Sequence, residues 1–368
     1  MITVIIPTAD PMPLPAPVWL LKSLLLLTFF LHLLAMNMVV GGGLIALISR
    51  IRGRSNELAH ILGTRLAAVL PVLLAGTITL GVAALLFVQV LYGQLFYTSS
   101  ILLGVAWLSV ILLLLIGYYG FYWSNLRQSM TGAVLGVLMV FTIGFIYVNN
   151  MTLMLTPERW ADMYRANAAG LHLNIGEVSL IPRYLHMAIS GIAFGGLLVV
   201  LLALRETEAK VRDWMLRQGA LWFTIPTVVN FGIGFWFLLA IPRDVRMLFM
   251  GQSPLASALL LIGFLLPVAA IVHLMLALSG RKPARQAIAG IASAVLTVAV
   301  MIAMRDVVRT GYLNGVFNPH ELAVVPQWSV IGIFLVLFVA GLATLFWMLR
   351  KVVTAKGSAD LARHAAQH

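Results

Sequence analysis

Long apolar runs separated by short polar ones make up almost the whole chain. A bilayer core of about 30 Å takes roughly 20 helical residues. Nine runs reach that length, near 19–48, 60–91, 98–123, 131–154, 182–204, 218–241, 256–279, 286–304 and 328–349. The pattern predicts an all-α integral membrane protein of about nine transmembrane helices. Residues 1–16 form a Pro-rich N-terminal tail, 17–350 a single helical domain and 351–368 a second tail. Several runs exceed the span length, so their helices tilt or protrude. No internal repeat is evident in the letters, and neither is the broken half-helix pattern of inverted-repeat transporters.

Charge orients the helices. The linkers near 49–58, 124–130, 205–217 and 280–285, with the C-terminal tail, hold 15 of the 24 Lys and Arg, whereas the opposite linkers hold seven. Cations collect on the cytoplasmic side, which puts the N-terminus outside and the C-terminus in the cytoplasm of a bacterial inner membrane. The outer linkers hold seven of the 12 acids: Asp10, Glu158, Asp162, Glu177, Asp244, Asp306 and Glu321. Residues 1–16 carry no cation and so lack the charged start of a cleaved signal peptide.

Composition narrows the chemistry. With 61% apolar and only 10% charged residues, against about 25% charged in soluble domains, no stretch is left for a separate soluble domain. The net charge of +12 sits in short linkers, where it sets topology, and is not a nucleic-acid surface. The absence of cysteine excludes thiolate-held Fe–S clusters, covalent c-type haem and disulfides within this chain.

The candidate site residues are ionisable groups at membrane depth, which are costly and generally functional. His32 lies mid-depth in the first run and His186 near the outer end of the fifth, each followed by small residues: Gly41, Gly42 and Gly43 after one, Ser190, Gly191, Gly195 and Gly196 after the other. Such residues let helices pack closely and also leave room for a flat macrocycle beside an imidazole. The two histidines are expected several ångströms apart in depth, on separate irons. Arg183, one turn before His186, is placed to pair with a haem propionate or to reach lipid phosphate. Arg305 and Arg309 are four apart and share a helix face, with Asp306 beside them. Thr156 to Tyr164 reads as a short interfacial helix with Thr156 as its cap and Pro157 at its first position; it is a connector or a lid.

Arg183-Tyr184-Leu185-His186 resembles the Arg-Tyr-Val-His that opens the fifth span of subunit I of the cytochrome bd-type quinol oxidases. His32 through Gly41 is similar in placement to that family's first-span haem ligand, and Pro326-Gln327-Trp328-Ser329-Val330-Ile331-Gly332 to the family's Pro-Trp-Ala-Ile-Gly. The resemblance implies haem b, one or more, with His186 and His32 as iron ligands and Arg183, Arg305 and Arg309 as propionate partners. It implies a respiratory-chain oxidoreductase using menaquinol or ubiquinol, with Asp244, Asp306 and Glu177 as candidate proton acceptors.

The chain also departs from that family. Residues 60–154 contain no acid, Ile333 stands where an oxygen-site glutamate is expected, the linker at 242–255 is short, and 256–270 lacks a methionine ligand. The reading is therefore an electron-transfer subunit of a hetero-oligomeric membrane complex. It passes quinol electrons to a c-type cytochrome or Fe–S subunit on the outer face. Two alternatives stay open: a divergent bd-type oxidase, and a haem-free membrane anchor or permease built on the Pro226 region of the sixth run.

Overall fold

The computed structural model describes residues 13–280 and 282–365, with side chains at 345, 349 and 352–365 left aside. Asp10, Arg281 and His368 lie outside the described residues, as does the side chain of His364. The helices are α1 (Val18–Arg52), α2 (Glu57–Leu103), α3 (Val105–Arg127), α4 (Met130–Met154), α5 (Trp160–Ala166), α6 (Leu180–Ala203), α7 (Ala209–Ala240), α8 (Arg243–Met247), α9 (Pro254–Leu278), α10 (Pro283–Tyr312) and α11 (Trp328–Ala365). Among the described residues no strand occurs and nine helices are long and apolar enough to cross a membrane, α5 and α8 being the short exceptions. The chain is a multi-pass membrane protein.

Two units are distinguished by their internal contacts. The larger covers residues 22–319 and holds the candidate site. The smaller covers 13–21 and 320–365, where Leu14 and Val324 form a parallel bridge, Leu14 N donating to Ala323 O at 2.7 Å.

One boundary differs from the sequence expectation. The gap foreseen at 92–97 is helical: α2 bends at Tyr92 (φ −131°) and runs on to Leu103. A lone glycine such as Gly93 costs a helix only about 1 kcal/mol, and no proline is present to stop it. The break comes at Gly104, whose φ of +50° suits glycine. A Cβ there would overlap the Gly170 carbonyl. Val105 N donates to Gly170 O and His172 N to Leu102 O, both at 3.2 Å, so the 167–179 segment docks on this corner.

The large unit packs by close helix approach. Gly41 of α1 meets Gly191 and Gly195 of α6, a Cβ on Gly41 reaching within 2.7 Å of Gly195 N. Gly196 and Gly219 bring α6 against α7, and Gly120 sits against Gly132 and Gly136 where α3 meets α4. In lipid, small residues at such crossings permit the backbone proximity on which association depends. Around them a continuous core of Ile45, Leu66, Leu70, Phe121, Leu197, Val199, Met215 and Phe223 is buried. At the cation-rich end Arg50 ties α1 to the α3–α4 turn. Its Nη1 donates to Ser129 O at 2.7 Å and its Nη2 to Ser124 O and Gln128 Oε1, both at 3.1 Å.

Candidate functional site

The site lies at the other end of the large unit, where α1 and α6 begin and α2, α7 and α10 finish. His32 is half-buried on α1, and its imidazole is set against α2. Its Nδ1 is 2.9 Å from the Thr77 carbonyl, an acceptor only, so Nδ1 carries the proton and Nε2 the lone pair. That is the second-sphere arrangement that orients metal-binding histidines. Gly81, four residues on, faces the ring: a Cβ there would come within 2.8 Å of Cε1. Phe29, one turn earlier, stacks on the ring at 6.3 Å and 29°.

His186 repeats this arrangement on α6. Its ring is set against α7, where a Cβ on Gly234 would come within 3.1 Å of Cε1, and it stacks on Phe237 at 6.3 Å and 29°. His186 lies within reach of the side chain and backbone of Asn230, four residues before Gly234, although its Nδ1 and Asn230 Oδ1 make no well-aligned hydrogen bond. Asn230 Nδ2 is taken up by Ser190 Oγ at 2.8 Å. Nearby, Thr227 of α7 donates to Phe223 O at 2.6 Å, so this polar side chain beside Pro226 turns back on its own helix.

The two histidine sites are alike in one further respect. Gly41 is nine residues after His32 and Gly195 nine after His186, and these two glycines touch. At about 1.5 Å of rise per residue, each histidine is therefore the same distance along its helix from the α1–α6 contact. Nine residues also amount to two and a half turns, so each imidazole points away from the glycine contact. The rings diverge toward α2 and α7. The likeness is confined to the histidine, the glycine nine residues on and the glycine of the next helix: Phe29 lies on the same helix as His32, whereas Phe237 lies on the helix facing His186.

Cations gather between the two sites on α10. Asp306 accepts an ion pair from Lys22 Nζ at 2.7 Å and from Arg309 Nη2 at 2.6 Å. Arg305 stands over the Phe29 ring at 4.4 Å and Arg309 over Tyr92 at 4.5 Å. Arg183 packs on Phe237 at 5.0 Å and on Tyr312 at 5.9 Å, with its Nε and Nη2 buried and unpartnered. Arg309 Nε is buried and unpartnered too. Four cations therefore face one directly paired carboxylate, an excess that suits an anionic ligand. A second acid, Glu177, lies at the rim: its Oε1 accepts from Ser179 Oγ at 2.8 Å, Tyr312 Oη is 3.5 Å from that hydroxyl, and Arg159 is 3.8 Å from Oε2.

Of the residues foreseen from sequence, His32, His186, Arg183, Arg305, Arg309, Asp306 and Glu177 are all at this end. Arg305 and Arg309, expected to share one task, turn to different rings. Asp306 is the centre of an ion triad. Asp244 stands apart, exposed on α8. Sequence reasoning did not single out Thr77, Phe237 or Tyr312, and it read Gly234 and Asn230 as part of the Pro226 bend of the sixth run, not as neighbours of His186. The Thr156–Tyr164 helix begins as a single 3-10 turn at Pro157, and Trp160 is buried, its Nε1 donating to Leu153 O at 2.9 Å, so it anchors the segment. His273 is used structurally, its Nδ1 lying 2.8 Å from Gln286 Oε1.

Among the described residues no group of three or more His, Cys, Asp or Glu could hold a bare metal ion. A haem asks for less: an axial lone pair and cations for its propionates. His32 Nε2 offers one such lone pair and the unpartnered guanidinium nitrogens of Arg183 and Arg309 suit propionates, while a donor for the opposite iron face is not among these residues. Compared with known proteins, the chain matches no protein family and no curated sequence.

Proposed function

We propose that the chain is a haem b-carrying electron-transfer subunit, a divergent relative of subunit I of the bd-type quinol oxidases, in a bacterial inner membrane. The observation that supports this reading is the pair of histidines in apolar helices, each with a glycine against its ring and a phenylalanine stacked on it, beside a surplus of cations. His32 and His186 each supply one axial nitrogen, and Arg183, Arg305 and Arg309 hold the propionates. Bound haem supplies one-electron redox chemistry at a potential tuned by its ligands and surroundings.

A menaquinol or ubiquinol oxidised here gives up two electrons and two protons. The electrons leave to a partner on the outer face, a c-type cytochrome or an Fe–S subunit, because this chain has no cysteine to hold either group. The protons need an acceptor near water. Glu177 suits that role better than Asp306, since Asp306 is closed between Lys22 and Arg309 while Glu177 ends a short hydroxyl series through Ser179 and Tyr312. Asp244 serves only where a quinol head reaches α8. The acid-free third and fourth helices offer no proton route to an oxygen site, so reduction of oxygen is not part of this reading.

Spectroscopy tests the proposal. Protein purified from haem-replete cells is expected to give a reduced-minus-oxidised band at about 560 nm, as for axially ligated haem b. His186→Ala and His32→Ala are each expected to lower the haem-to-protein ratio by about one while the protein still elutes as a folded species. A colourless preparation defeats the reading. Normal haem content in one variant removes that histidine from the ligand set.

A further inference from the structure

At the end of the large unit opposite the histidines, a cleft of about 280 Å³ opens between the end of α1, the first turns of α2 and the α3–α4 turn. Its polar lining is Arg50, Arg54, His60, Thr64 and Gln128, and no carboxylate lines it. Of the acids at this end, Glu206 pairs with Arg65 at 3.1 Å and Asp213 with Arg212 at 2.9 Å, while Glu57, exposed in the first turn of α2, is not part of the lining. Arg50 is held rigidly by Ser129, Ser124 and Gln128. The side chains of Arg54, His60 and Thr64 have no hydrogen-bond or ion-pair partner among the described residues. His60 and Thr64 are four apart and share a face of α2.

The backbone adds to this field. Asn56 caps α2 by accepting from Ala59 N and Ser129 caps α4 by accepting from Gly132 N, so two positive helix ends border the cleft. Gly53 and Gly63 let α1 and α2 approach closely enough to bring them together, a Cβ on Gly53 reaching within 2.9 Å of the His60 backbone. The volume equals that of roughly nine liquid waters, more than a halide needs and enough for a phosphodiester with its glycerol. The cleft sits where the spans meet the cation-rich linkers, and basic pockets between transmembrane helices at that level take acidic lipid headgroups.

We propose that this cleft binds the phosphate headgroup of an anionic phospholipid. Arg50 supplies a fixed charge, Arg54 and His60 close on the phosphate oxygens, and Thr64 donates its hydroxyl. The site is separate from the histidine end and does not depend on the chain carrying haem.

Native mass spectrometry of the detergent-purified protein, titrated with dioleoyl phosphatidylglycerol or dioleoyl phosphatidylcholine, tests it. The expected result is one phosphatidylglycerol retained at least tenfold more tightly than phosphatidylcholine, and a loss of that preference in Arg54→Gln/His60→Gln. Arg50 is left alone because it ties α1 to the α3–α4 turn. Equal retention of the two lipids by the native protein overturns the proposal whether or not the variant folds. An unchanged preference in a folded variant also overturns it. So does displacement of phosphatidylglycerol by millimolar inorganic phosphate, which assigns the cleft to a soluble anion.

Discussion

At the scale of single residues, the most consequential side chain at the histidine end is Asp306. It is the carboxylate that directly pairs with Lys22 and Arg309, and it is only 14% exposed. Removing one member of a buried ionic group leaves uncompensated charge, at a cost of about 3–5 kcal/mol. Asp306→Asn is therefore expected to lower the detergent melting temperature by several degrees, and Lys22→Met in the same chain to restore part of it, as thermal unfolding will register. An unchanged melting temperature in the single variant defeats the triad as a structural element. The ionisable members of the site stood out in the sequence because a charge in an apolar run is conspicuous. Their partners did not. Thr77 and Phe237 are unremarkable letters in apolar runs, and Gly234 stood out only as part of the Pro226 bend; all lie roughly 45 to 50 positions from the histidines they touch. Only folding makes them neighbours.

At the scale of helices, the α1–α6 crossing sets the site. Gly41 and Gly195 lie backbone to backbone, and each histidine is nine residues from that contact. A side chain at either glycine has no space, and overpacking of this kind costs about 1–3 kcal/mol. Gly41→Val is expected to force α1 from α6, reducing folded yield and, if the site carries haem, broadening the haem spectrum more than a lipid-facing change such as Leu108→Val does. Equal effects of the two substitutions mean that the crossing does not position the histidines. Helix number and approximate length were legible from hydropathy, because each span must supply its own backbone hydrogen bonds in lipid. The end of α2 was not, because a weak glycine at 93 looked like a stop and the real one, at Gly104, depends on docking of the 167–179 segment. The likeness between the two histidine sites was hidden for a related reason. It survives as a histidine, a glycine nine residues later and a glycine on the next helix, amid apolar residues that exchange freely for one another.

At the scale of the whole molecule, the two ends of the large unit differ in kind. One carries exposed cations in linkers and the phosphate-sized cleft; the other carries buried cations, the histidines and the rim acid Glu177. A quinol-oxidising subunit needs the second end at the outer face, where protons can be released and a redox partner can dock. The cation bias of the linkers predicts that placement, so orientation bears directly on the proposed function. The absence of cysteine makes a direct measurement simple. Ala168→Cys, in the exposed segment after α5, is expected to react with a membrane-impermeant maleimide in intact spheroplasts, and Ser55→Cys, in the α1–α2 turn beside the cleft, only after the membrane is opened. The reverse pattern puts the histidine end in the cytoplasm. An outer-face cytochrome could not then take electrons from it, and both the partner and the direction of proton release assigned above would have to be abandoned.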